Sequence, residues 1–167
     1  MDIRQILPTD FNPASRVWIY QSNRPFSEKE QAEIAEQLDQ FTAHWQAHGA
    51  PVKGWAKLLF EQVILVIADE TDTHVSGCST DSSVRVIKSI ERQYSVNLFD
   101  RLLLGFVVKE KLQLLPMMQI PYALEKGFID ENTIYLNNTV LTLKELEENW
   151  LQPLKNSWLA KKFAIAQ

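Results

Sequence analysis

Apolar residues at Ile34, Leu38, Phe41 and Trp45 recur at spacings of four, three and four, one stripe along a helix of about five turns. Ser27 with Glu30 three residues on forms a capping box at its start. Gly49 is the expected left-handed stop, and Pro51 prevents continuation. Other stretches lack this period. Residues 16–21 are β-branched and aromatic and predict a first strand buried on both faces. Residues 55–60 and 62–68 predict two more strands, with Glu61 and Gln62 between them suggesting a tight hairpin. A polar loop over 69–79 leads to a second helix from about Thr80 to Tyr94, with Val84, Ile87, Ile90 and Tyr94 on one face. Residues 102–108 predict a fourth strand.

The succession strand, helix, strand, strand, helix, strand is that of the ferredoxin-like split βαβ unit: an α+β fold with two helices on one face of an antiparallel sheet. The expected organisation is a single domain, with a βαββαβ core over 15–110 and a covering extension over 111–167. In the extension, Pro116 and Pro121 suggest extended chain and turns over a sheet edge or face. Residues 133–140 suggest a short strand. Thr142 with Glu145 forms a second capping box before Leu143, Leu146 and Trp150, and Trp158, Leu159 and Phe163 mark another short helix after the break at Pro153.

Composition narrows the function. The 167 residues hold one cysteine, which excludes an intramolecular disulfide and a cysteine-rich zinc site. Seventeen basic residues against 21 acidic ones argue against a sequence-independent grip on nucleic acid or on an anionic membrane. The longest apolar run, 63–68, is far short of the ~20 residues of a membrane helix. With no basic-then-apolar leader in residues 1–10 and a lone thiol, a soluble cytoplasmic protein is the expectation.

Candidate chemistry concentrates between His74 and Ser83, where a core strand joins the second helix. Cys78 at or just before the helix N-cap would meet free amides and the positive end of the dipole, which favour a thiolate. Gly77 permits close backbone approach, and the hydroxyls of Ser76, Ser79 and Thr80 are placed to orient a ligand. His74 serves as a base only if the loop folds back. The plainer reading makes Cys78 a small packed hydrophobe and Ser79 or Thr80 a helix cap. A phosphatase loop is excluded by counting: it needs Arg six residues after the nucleophile, where Val84 stands, with Arg85 one place late. Asp81 would also repel a phosphate there.

Neither metal nor nucleotide signatures are complete. His44 and His48 are four apart, as metal ligands on one helical face can be, but no third ligand is evident, and a packed or capping His48 is preferred. Asp69, Glu70 and Asp72 lack the glycine and terminal Glu of a calcium loop. No metal and no cofactor are expected. Gly49 and Gly54 have P-loop spacing, yet Trp55 and Ala56 replace the required Lys and Ser/Thr. Trp18 and Tyr20 on the first strand suggest the aromatic strand of an RRM, but 63–68 has no stacking aromatic and the net charge has the wrong sign.

Residues 15–21, Arg24-Pro25-Phe26, Trp45 with His48-Gly49, Ser76-Gly77-Cys78-Ser79 with Asp81 and Val84, and Asp100-Arg101 together resemble a family of small bacterial proteins sometimes labelled "ABC transporter ATPase". The resemblance spans residues 15–101. It draws attention to Arg16, Arg24, His48, Cys78 and Asp81 as recurring polar positions. The label implies ATP hydrolysis, but the chain has neither a Walker A lysine nor an ABC signature.

The expectation is therefore a module that binds a small ligand or a protein partner, with possible homo-oligomers and no ATPase activity. Its candidate contacts are Ser76, Gly77, Ser79, Asp81, Arg16 and Arg24. Five tryptophans suit a surface where apolar groups meet a partner. The alternative is a thiol-dependent enzyme with Cys78 as nucleophile or redox thiol and His74 or His48 as base.

Overall fold

The computed structural model describes residues 2–165, and at position 78 the backbone alone. Helices and sheets are both present, so the class is α+β. The chain forms two compact units. One runs up to Phe99 and takes in Leu141–Glu147; the other runs from Asp100 to Val140 and resumes at Glu148.

The first unit contains β1 (Arg16–Gln21), α1 (Glu28–His44), the short β2 (Gln46–Ala47) and β3 (Ala50–Pro51), β4 (Lys53–Leu59), β5 (Val63–Asp69) and α2 (Gly77–Tyr94). The sheet order is β1-β5-β4, all antiparallel, with Trp18 opposite Val66 and Ala56 opposite Val66 on the other side. Every residue of β5 is buried, as its unbroken apolar run predicts for a central strand. Trp18, Tyr20, Ala56, Leu58, Ile64, Val66 and Ala68 alternate along the three strands and pack with Ile34, Leu38, Ile87 and Ile90. Both helices thus bury their stripes on one face. The β4–β5 turn is set by Phe60 and Glu61, each with positive φ (52° and 58°), one residue earlier than the sequence suggests.

Three expectations change here. Residues 103–108 do not join this sheet, so the ferredoxin-like strand set is incomplete; their strand pairs in the second unit. The physical reason is local: a two-residue turn supplies that strand with a neighbour at almost no loop-closure cost. The free side of β1 meets residues 141–143 instead, through Val17 N donating to Leu141 O (3.0 Å) and Leu143 N donating to Ser15 O (2.9 Å). Next, α1 ends at His44, because Trp45 turns to φ −68°, ψ 126°. Gly49 does adopt the left-handed conformation (φ 80°), but with His48 (φ 50°) it makes the turn between β2 and β3. His48 is accordingly exposed, neither packed nor capping. Lastly, α2 starts three residues early, with Ser76 as N-cap.

In the second unit, β6 (Leu103–Val108), β7 (Lys111–Pro116), β8 (Ile134–Leu136) and β9 (Leu151–Pro153) form a sheet in the order β7-β6-β8-β9. Residues 111–167, expected as a covering extension, therefore contribute three of the four strands of this sheet, together with the helix α3 (Ile120–Glu125). Helix α4 (Leu143–Asn149) begins in the first unit, where Thr142 Oγ1 accepts from Glu145 N (3.2 Å) and Glu145 Oε2 accepts from Leu141 N (2.7 Å), a near-capping box. Helix α5 (Trp158–Lys162) starts at Ser157. The core is Leu104, Phe106, Ile120, Ala123, Ile129, Tyr135, Leu154 and Leu159. Phe106 and Tyr135 are cross-strand partners with ring centroids 5.6 Å apart.

Candidate functional site

The start of α2 is tied down by its own chain. Ser76 Oγ caps the helix, accepting from Ser79 N (3.4 Å) and lying 3.1 Å from Ser79 Oγ. Ser79 is buried: its hydroxyl donates to Gln46 O (2.9 Å) and its main-chain oxygen accepts from Trp45 Nε1 (3.0 Å). Thr80 Oγ1 donates back to Ser76 O (3.0 Å). These hydroxyls are spent on the helix and on the chain after α1. Gly77 faces open space, since a Cβ there would meet nothing within 4 Å. Cys78 occupies the second helical position; its side chain lies outside the described residues. Asp81 is exposed.

The remaining candidates are dispersed. His74 is exposed and its Nδ1 lies 3.3 Å from Glu70 Oε2. Glu70 Oε1 accepts from Arg16 Nη1 and from Val75 N, both at 3.3 Å, and the Arg16 guanidinium sits 4.7 Å from the Trp18 ring centre. Asp69 accepts from Thr71 Oγ1 (2.6 Å), Thr71 N (3.0 Å) and Asn12 N (2.8 Å), and the Thr71 hydroxyl foremost holds its carboxyl below the usual carboxylate range. Arg24 binds both oxygens of Glu30 (2.9 and 3.0 Å) and donates to Tyr94 O (2.8 Å), locking α1 to the end of α2. His44 Nδ1 is 2.9 Å from Gln40 O. Among the described residues, no group of three or more His, Cys, Asp or Glu is arranged to hold a metal ion. None of their helices is long and apolar enough to cross a membrane.

A wide concavity lies within the second unit, a cleft of about 910 Å³. Two elements build it. Alternation along β7 sends Lys111, Gln113 and Leu115 to one side, where Val108 and Leu104 of β6 are their register neighbours. Helical spacing sends Gln119, Tyr122, Ala123 and Lys126 to the facing side of α3 and its flanks. Val108, Leu115 and Ala123 give the cleft an apolar floor. Lys109 stands in the β6–β7 turn, where it and Glu110 have positive φ (52° and 65°).

A glycine completes the wall. After α3 the chain reverses at Gly127 (φ 68°), with Phe128 N donating to Ala123 O (2.9 Å) and Gly127 N to Leu124 O (3.1 Å). This reversal returns Phe128 to the cleft that Tyr122 also lines. Tyr122 is 64 % exposed and Phe128 46 % exposed. Lys126 Nζ lies 5.7 Å from the Tyr122 ring centre.

None of these lining residues was singled out by motif reasoning. Their signal was present as two periods meeting, two-residue in 111–115 and three-to-four-residue in 119–126. Pro116 between the two segments and Pro121 within the second obscure it. Comparison with protein-family models, with curated proteins and with solved structures finds no match to this chain.

Proposed function

We propose that this protein is a binding module for a small ligand, without ATPase activity, and that the cleft of the second unit is its binding site. One observation carries the reading: a concavity of about 910 Å³ that joins an apolar floor to a rim of amide, ammonium and aromatic groups. Ligand sites are typically clefts of roughly 300–1,000 Å³ with apolar walls and a few placed polar groups. Within the first unit, the concavity beside Phe41 and Arg85 is smaller, about 340 Å³. We read that unit as a ferredoxin-like frame in which residues 141–143 stand in for the last strand beside β1, and as scaffold.

Screening a fragment library by thermal shift tests the site. Gln113 is half-buried, on the cleft side of an edge strand, so Gln113→Trp fills the cleft with the core beneath it unchanged. Fragments that raise the melting temperature of the native protein are expected to lose that effect in Gln113→Trp. Stabilisation retained in full by the variant would overturn the assignment.

A further inference from the structure

We infer that the cleft takes a planar aromatic anion, an aryl ring system bearing a carboxylate or a phosphate. The inference rests on the reading that the cleft is a ligand site, and adds the chemical class of the ligand.

The charge argument starts from three lysines. Lys109 comes from a turn, Lys111 from the start of β7 and Lys126 from the end of α3, yet all three line one cleft. No Asp or Glu lines it. Among the described residues, none of the three has a carboxylate within 4.0 Å. The nearest acidic residues in sequence, Glu110 and Glu125, are exposed and outside the lining. Acidic residues outnumber basic ones 21 to 17 along the chain, so this cleft reverses the sign of the whole molecule. Like charges gathered without a counter-charge repel one another, and an anion relieves that repulsion while the walls focus the field on it.

The donor type adds to this. A lysine ammonium is a compact point charge with rotatable donors, whereas arginine imposes a planar fork. A set of lysines alone fits an anion held by charge, and accepts a carboxylate or a phosphate without selecting one geometry.

The ring argument is independent of charge. Tyr122 and Phe128 are large apolar side chains left substantially in water, and the Gly127 reversal fixes where Phe128 stands. Two aromatic faces held beside an apolar floor suit a flat ring, which covers them by offset or edge contact. Lys126 already lies over the Tyr122 ring, so the cation and the stacking surface adjoin.

Calorimetric titration of the full chain with 1-naphthyl phosphate, 1-naphthoate and the neutral 1-naphthol tests the class. Both anions are expected to bind at least tenfold tighter than 1-naphthol at low salt, and to weaken as salt is raised. The stronger of the two identifies the preferred anionic group. Each of Lys109→Gln, Lys111→Gln and Lys126→Gln is expected to weaken anion binding about two- to fivefold, as loss of one exposed charge pair does. Tyr122→Ala should weaken anions and naphthol alike. Equal binding of naphthol and the anions, indifferent to the lysine substitutions, would overturn the anion class and leave the cleft as an apolar site. Binding of no probe at all would overturn the class, while the fragment comparison with Gln113→Trp decides the site separately.

Discussion

The indole nitrogen of Trp45 donates to the main-chain oxygen of Ser79 at 3.0 Å. This bond joins the residue that ends α1 to the first turn of α2, and the Ser79 hydroxyl returns the link to Gln46 O. It explains why the helix stops one residue short of Trp45: the ring is buried at the close of the helix and its N–H needs a partner there. Of the hydroxyls that look like ligand contacts in the sequence, that of Ser79 ties α2 to the chain after α1, and those of Ser76 and Thr80 bond within the start of α2.

Trp45→Phe keeps most of the apolar burial and removes that donor, leaving a buried acceptor short of one partner. A loss of about 1–2 kcal/mol in unfolding free energy is expected, measured by urea denaturation, with faster amide exchange in the first turn of α2.

Gly54 is fixed by the same ring. A Cβ built there would lie 2.7 Å from Trp45 Cε3. Gly54→Ala should therefore cost about 1–3 kcal/mol through overpacking, and the double variant with Trp45→Phe should show non-additivity in the same denaturation experiment.

Ser95 ends α2 in the left-handed conformation (φ 51°, ψ 48°) and is exposed. Glycine adopts this conformation without the Cβ penalty, so Ser95→Gly should stabilise the protein by about 0.5–1 kcal/mol. Thermal unfolding reads the rise; an unchanged or lower midpoint contradicts the cap geometry.

The α1 start carries the acid response. The Arg24 guanidinium, foremost, and the Ser27 amide hold the Glu30 carboxyl down to about 2. A depressed folded-state value means that the stabilising contribution is present above the ordinary carboxylate range near 4.5 and is lost as pH falls toward 2. Glu30→Gln should flatten the stability profile across that interval. At the alkaline end, burial and the neighbouring Glu33 push the Tyr94 hydroxyl up to about 12. Its contribution is present below pH 10 and is lost as pH rises from 10 to 12, a loss that Tyr94→Phe should remove.

The elements were legible where one local rule decided them. The Ser27–Glu30 box, the unbroken run of β5 and the Thr142–Glu145 pair each name their structure without help from the rest of the chain. What stayed hidden depended on distant partners. Nothing within 103–108 says that its neighbour is β7 and not β1, because a short apolar strand fits either sheet. The end of α1 depended on Ser79, 34 residues on. The cleft required a strand face and a helix face to meet, and each alone reads as ordinary amphipathic chain.

The account turns on where a ligand binds, and backbone amide shifts under titration with 1-naphthyl phosphate locate it directly. Shifts confined to Lys109–Leu115 and Gln119–Phe128, unchanged in Cys78→Ser, are the predicted result. Shifts centred on Ser76–Ser79 and abolished in Cys78→Ser would contradict it.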